Sequence, residues 1–309
     1  KQIQAGEAII VGQDITGNLQ VNPQRYFRYL PSMDSPESEE EIFHQLDVVL
    51  DRVFKRLIDY VDGRTIVVPL SGGYDSRLIV LMLKRLGYEN IVAFSYGKPG
   101  NKEAMVSKEV AEKLGIRWEF VPYSNKQWYE WYRRSEIKAF FEFAGNLSSL
   151  PHIQDWPAVK VLKEEKRIPE NAVFVPGHTV VLAIQINAVE EIWRKKKGTK
   201  AFFEMLRKSH YNLKQHISDI HELRNASYSA YFQMDNREQV ASVGDSWAWT
   251  ERQSKFIGNT VRVYEFFGHN WWMPFWDREF VDYWSGISYE NRLSKLFFKR
   301  YVNDFATIQ

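Results

Sequence analysis

The stretch Ser71-Gly72-Gly73-Tyr74-Asp75-Ser76-Arg77 separates an apolar run, Thr65-Ile66-Val67-Val68-Pro69-Leu70, from a helical pattern, Leu78-Ile79-Val80-Leu81-Met82-Leu83. Strand, glycine-rich turn and helix N-terminus in that order make an anion cradle. Glycine lets the backbone approach a phosphate closely, and the exposed N–H groups and the positive end of the helix dipole face it. Ser71 and Ser76 can add hydroxyl donors, and Asp75 is placed to hold a magnesium ion against the same oxygens. The Lys-Ser/Thr ending of a Walker-A loop is missing, which excludes that class. A plain Ser/Gly turn is the alternative reading, and the strand-to-helix placement weighs against it.

Strands and helices alternate downstream. The patterns predict a helix over 76–86 stopped by Gly87, a strand over 91–95, a helix over 101–114 stopped by Gly115, and a strand over 117–122. An aromatic helix over 126–142, a Pro-punctuated helical stretch over 151–166 and a fourth strand, Ala172-Val173-Phe174-Val175, follow. That alternation argues an α/β fold with a parallel, doubly wound sheet. The ligand crevice of such a sheet lies where strand order reverses. Strand 65–70 beside strand 172–175 would therefore bring Ser71, Gly72, Gly73, Asp75 and Ser76 into one cleft with Gly177.

Upstream, Ser35-Pro36 with Glu39, Glu40 and Glu41 reads as a helix start. Ile42, Leu46, Val49, Leu50, Val53, Phe54 and Leu57 then repeat at helical spacing as far as Asp62-Gly63. Residues 1–33 read as short strands with turns, too short for a domain. Beyond residue 180 the pattern changes to helices joined by polar loops. Arg194-Lys195-Lys196-Lys197-Gly198 reads there as a solvated helix end.

Lys plus Arg number 41 against 39 for Asp plus Glu, so a net charge of +2 gives no argument for a nucleic-acid partner. With no cysteine, disulfides, thiolate metal sites and a cysteine nucleophile are excluded within these 309 residues. No run of about 18 apolar residues exists, and the start lacks the plan of a signal peptide, so a cytoplasmic enzyme without a membrane segment is expected. The chain begins at Lys1, as a processed chain or one part of a longer protein would. Aromatic residues reach 15%, with 11 Trp mostly in the second half, which suggests a helical layer packed by large rings.

The Ser-Gly-Gly-x-Asp-Ser pattern resembles the pyrophosphate loop of the N-type ATP pyrophosphatases, which cleave ATP between its α and β phosphates. NAD synthetase, GMP synthetase, tRNA lysidine synthetase and asparagine synthetase share it. Further features are similar to asparagine synthetases in particular. Phe94-Ser95-Tyr96-Gly97, Glu103 and Val110-Ala111-Glu112-Lys113-Leu114-Gly115 resemble their second strand and following helix. Pro176-Gly177-His178 resembles their second glycine motif, and Met273-Pro274-Phe275-Trp276-Asp277 their Pro-Phe-Leu-Asp signature. Lys295-Leu296-Phe297-Phe298-Lys299-Arg300 is similar to the Lys-containing helix that follows that signature. Ile3-Gln4-Ala5-Gly6-Glu7 and the Tyr26-Phe27 region resemble the tail of a glutaminase domain. The likeness is closest to divergent asparagine-synthetase-like members linked to surface-polysaccharide synthesis.

The resemblance implies an adenine-nucleotide alpha-hydrolase (HUP-like) fold with a C-terminal helical half. Residues 1–33 would be the tail of a glutaminase domain, 34–180 the ATP-pyrophosphatase core and 181–309 the helical synthetase half. It implies ATP and Mg²⁺ as cofactors, with Ser71, Gly72, Gly73, Asp75, Ser76, Ser95, Tyr96, Gly177 and His178 as ATP-binding residues. Asp75 would hold the metal, and Lys295 would stabilise charge on the α-phosphate, with Lys299 as rival. The implied reaction activates a carboxylate, from aspartate or a sugar acid, as an acyl-adenylate, and ammonia from a glutaminase domain or subunit displaces AMP. A homodimer is an assembly the resemblance allows. His178 could touch phosphate or the acceptor, or only bond loop backbone.

Two departures stand out. The family places a Gly-Asp pair shortly after the second glycine motif, whereas His178-Thr179 here is followed by Val180-Val181-Leu182, with no acid until Glu190. A mobile substrate loop is expected at that step. Asn270 and Trp272 stand where asparagine synthetases carry Glu and Arg, which puts aspartate as acceptor in question. A lysidine-synthetase-like ligase and a non-catalytic relative are the competing readings. Trp271, Trp272 and Trp276 read as core packing rather than a sugar-stacking face, and Glu251, Arg252, Lys255, Arg262 and Glu265 as either site charges or solvated ion pairs.

Overall fold

A computed structural model of the chain describes residues 3–32, 38–145, 149–179, 181, 184–195, 198–210 and 236–308. The expected helix start at Ser35-Pro36 and the step into Val180 lie outside the described residues, as do Lys196 and Lys197. Two compact units are each assembled from separated segments. One comprises Lys1–Pro36, Leu182–Ser254 and Ser285–Leu296; the other comprises Glu37–Val181, Lys255–Trp284 and Phe297–Gln309.

The first unit opens with an antiparallel hairpin, β1 (Glu7–Gln13) and β2 (Leu19–Arg25). Helices Ile184–Arg194, Gly198–His210 and Arg237–Trp247 bury Val189, Ile192, Phe202, Leu206, Val240 and Trp247 in a core of their own. Arg292, 1% exposed, is held among them by Asp245 at 2.5 Å, and it donates to the carbonyls of Ile287 and Ser32. Burial pushes the Asp245 carboxyl up to about 6, with Arg292 acting the other way.

The second unit begins with α1 (Glu39–Val61). The Ser38 hydroxyl accepts from the Glu41 N–H, three glutamates fill the first turn, and Asp62 ends the helix in the left-handed region. The sheet elements follow: β3 (Ile66–Pro69), α2 (Tyr74–Arg85), β4 (Ile91–Gly97), α3 (Lys102–Lys113) and β5 (Arg117–Pro122). After them come α4 (Asn125–Tyr132), α5 (Ser135–Gly145), α6 (Trp156–Glu164), β6 (Val173–Phe174) and, far along the chain, β7 (Asn270–Trp271). All strand pairs of the sheet are parallel, in the order β5-β4-β3-β6-β7. The chain leaves β3 toward one edge and returns to its other side as β6, with Ile66 opposite Val173 and Val67 opposite Phe174. The doubly wound expectation holds, with the reversal between the two strands expected to flank it. Ile66, Val67 and Val68 are fully buried, as parallel strands covered on both faces require.

Two elements differ from the sequence reading. The aromatic helix is two helices, α4 and α5. Trp131 and Ile137 both enter the core, yet six residues apart they cannot share one face of a continuous helix; Ile137, Phe140 and Ala144 can. The break between Tyr132 and Ser135 brings both sets inward. A fifth strand, β7, lies beyond residue 180, where only helices were read; two residues are too few to show a strand period. Among the described residues no helix is long and apolar enough to cross a membrane.

Candidate functional site

The chain leaves β3 with the Leu70 N–H donating to the Phe94 carbonyl at 2.9 Å. The turn is then tied to itself. The Ser71 N–H donates to Ser76 Oγ and the Gly73 N–H to Ser71 Oγ, each at 3.1 Å. Gly73 is the N-cap of α2 and offers no side-chain acceptor, so no cap from that position occupies the first-turn N–H groups. From the far side of the reversal, the Gly177 backbone closes on the start of α2. A Cβ there would stand 2.9 Å from the Ser76 nitrogen and 3.2 Å from its Cα, backbone atoms that cannot swing aside. Only glycine lets the end of β6 come this near.

A cleft of about 310 Å³ opens at this edge of the sheet, lined by Ser71, Asp75, Ser76 and Gly177 together with Ser95, Tyr96 and His178. Seven of the nine nucleotide-site residues read from the sequence thus surround one cavity. Gly72 and Gly73 shape the turn behind it. Lys295 belongs to the first unit, in the turn Leu293–Lys295 that precedes the helix Leu296–Ile308, and has φ 56°; Lys299 lies on that helix, in the second unit.

Polar side chains not placed at the site from the sequence also line the wall: Glu103, His152, Gln154 and Asp155. Asp155, 8% exposed, accepts from the Tyr96 hydroxyl and, at 3.0 Å, from the Tyr264 hydroxyl. Burial and this carboxylate together hold both phenols far above the ordinary tyrosine range. Asp155 falls within the Pro-punctuated helical stretch read over 151–166, but its partner Tyr264 is 109 residues away, which no local pattern reveals. The Ser95 hydroxyl donates within the fold to the Leu70 carbonyl at 2.6 Å and so braces the end of β3, and Ser107 Oγ lies 2.7 Å from the same oxygen. His178 is half-buried, and burial pushes its imidazole down to about 4; Nε2 lies 2.6 Å from Thr260 Oγ1. No lysine or arginine is among the described residues lining the cleft. Nor do the described residues contain a group of three or more acids and histidines able to cage a metal.

Elsewhere the plainer readings fit. Arg262 pairs with Glu265 at 2.9 Å, and the Trp271 indole donates to Glu265 at 2.9 Å. Residues Ala248–Ile257 wind as a π-helix, which removes the 3.6-residue spacing assumed for Glu251 and Lys255. Trp272 packs on Tyr60 at 4.9 Å. Asp277 of the Pro-Phe-Leu-Asp-like signature grips Arg56 of α1 through two bonds, at 2.7 and 3.1 Å.

Residues 48–142, from α1 through the turn at 71–77 to α5, match the family model described as asparagine synthase. A probable asparagine synthetase [glutamine-hydrolyzing] from Acanthamoeba polyphaga mimivirus is 44% identical over 79 residues, 25% of this chain and 14% of that protein. The chain therefore spans a small part of that relative's length. The asparagine synthase resemblance stands over this segment. Aligned solved structures include an NH3-dependent NAD synthetase from Campylobacter jejuni subsp. jejuni NCTC 11168, at 12% identity and TM-score 0.32, covering 73% of this chain and 96% of that one. An NMN synthetase from Francisella tularensis aligns at 13% identity and TM-score 0.33, covering 72% and 96%. Likeness at that level carries no argument about activity.

Proposed function

We propose that this chain is the ATP-using part of an amide-forming ligase of the asparagine synthetase type. The observation that carries the reading is the approach of Gly177 to Ser76 at the strand-order reversal, which makes one cleft from the pyrophosphate-type loop and the second glycine motif. The uncapped start of α2 and the Ser71 and Ser76 hydroxyls are donors suited to a phosphate chain. A carboxylate attacks the α-phosphorus, an acyl-adenylate forms, and pyrophosphate leaves. Ammonia supplied by a glutaminase domain or subunit then takes the acyl group and AMP departs.

The donor set fits magnesium in a particular way. Asp75 is a carboxylate on the loop, and since the described residues form no cage of three or more acids and histidines, phosphate oxygens and water would complete the ion's shell. Bound magnesium would neutralise the pyrophosphate charge, in a cleft whose wall carries the carboxylates Asp75, Glu103 and Asp155. Among the described residues lining the cleft none is a lysine or arginine, and Lys295, read from the sequence, is the candidate for charge on the α-phosphate. Ser95 and Tyr96 form the wall for the base.

ATP–pyrophosphate exchange across a panel of carboxylates, with aspartate and uronic acids included, tests the reading. Exchange with one of them, abolished in Asp75→Ala with the fold intact by circular dichroism, is the expected result. No exchange and no ATP binding by calorimetry would overturn it in favour of a non-catalytic relative.

A further inference from the structure

We propose that Thr260 fixes His178 as its Nε2–H tautomer, and that the bare Nδ1 is the acceptor in the cleft for the N–H of the incoming amine nucleophile. The second half rests on the ligase reading above. Thr260 Oγ1 lies 2.6 Å from the Ile257 carbonyl oxygen and 2.6 Å from His178 Nε2. A hydroxyl has one hydrogen and a carbonyl oxygen can only accept, so that hydrogen goes to Ile257. The contact with the imidazole then needs its hydrogen from Nε2. A neutral imidazole carries one N–H, which leaves Nδ1 as a lone pair. Burial keeps the ring neutral at ordinary pH; Asp155 favours its proton and His152 opposes it. Nδ1 has no hydrogen-bond partner among the described residues, and His178 lines the cleft.

A lone pair selects what it meets. Phosphate and carboxylate oxygens are acceptors, and a second acceptor facing them repels them, so His178 is not a phosphate ligand. An N–H donor is favoured. Ammonia and the exocyclic amine of adenine are N–H donors in the reaction with any acceptor, and the α-ammonium group would be a third were aspartate the acceptor. Gly177 packs on Ser76, which places His178 one residue from the phosphate loop, at the reacting end of the nucleotide. That position favours ammonia. A hydrogen bond given by ammonia to Nδ1 leaves its own lone pair free for attack on the acyl carbon. Thr260 is a positioning residue in this scheme and touches no substrate.

Long-range ¹H–¹⁵N spectra of the full chain with labelled histidine read each ring nitrogen directly. A protonated Nε2 and a bare Nδ1 at neutral pH are expected, lost to a tautomer mixture in Thr260→Val and restored in Thr260→Ser. A protonated Nδ1, or a tautomer indifferent to Thr260→Val, would overturn the first half. Titration with ammonium chloride near the pKa of ammonia should move the Nδ1 resonance, with apparent affinity about fivefold or more weaker in Thr260→Val. No movement, or movement caused instead by ATP and absent with purine riboside triphosphate, which lacks the amine, would overturn the second half. These arms need no turnover, so their failure is distinct from an absence of pyrophosphate exchange, which would overturn the ligase reading alone.

Discussion

A single missing Cβ decides whether the two glycine motifs can share a cleft. In Gly177→Ala the new carbon would meet the Ser76 backbone at 2.9 Å, so the end of β6 or the start of α2 must move. The expected result is a loss of about 1–3 kcal/mol in stability, the usual scale of overpacking. Nucleotide affinity should fall at least tenfold, about 1.4 kcal/mol, by calorimetry. Unchanged affinity would separate the loop from nucleotide binding. Lys295 carries a second prediction at this scale. Lys295→Ala should cut pyrophosphate exchange by about 10²-fold or more, the scale of losing one charge-stabilising group. Near-normal exchange in that variant, with Lys299→Ala impaired, would transfer the role to the helix Leu296–Ile308.

At the scale of elements, what could be read from the sequence followed from local periodicity. The apolar run 65–70, the helical repeat of α1 and the glycine stops after α2 and α3 each lie within one window, and the structure places each element within a few residues of its expected bounds. The loop of the candidate site was legible for the same reason, because residues 71–77 are one continuous segment. Asp155 was not, since its phenolic partners come from β4 and from residue 264; β7 was not, because it exists only through pairing with β6. Asp277, in a stretch that resembles a family signature, holds elements together. It grips Arg56 and also accepts from the Glu279 N–H at 2.9 Å, so it ties the turn Pro274–Trp276 to α1 and starts the next helix. Asp277→Ala should cost about 1–2 kcal/mol in urea unfolding, a lost cap plus a half-exposed ion pair, with nucleotide affinity unchanged. A large loss of affinity without loss of stability would instead make Asp277 a site residue.

Across the whole molecule, each unit has its own buried core, so unfolding need not be a single two-state event. The Arg292–Asp245 pair, almost wholly excluded from water, separates the two experimentally. Removing one partner of a buried pair leaves the other charge uncompensated and typically costs about 3–5 kcal/mol. Arg292→Ala should therefore strip hydrogen-exchange protection from the helix Arg237–Trp247 while β3 and β4 keep theirs. The sign of its pH dependence follows from Asp245. Its carboxyl already stands at about 6, above its ordinary 3.8, and Arg292 is what draws it down. Without Arg292 it rises further, so the folded state holds a proton that the unfolded chain has released. Stability then falls as pH rises through that window and recovers as pH drops below it. The destabilisation by Arg292→Ala should be largest at about pH 7 to 8 and shrink toward about pH 5, where a neutral carboxyl needs no partner. A deficit that is flat with pH would mean that lost packing of the arginine side chain, rather than the orphaned carboxylate, is the cause.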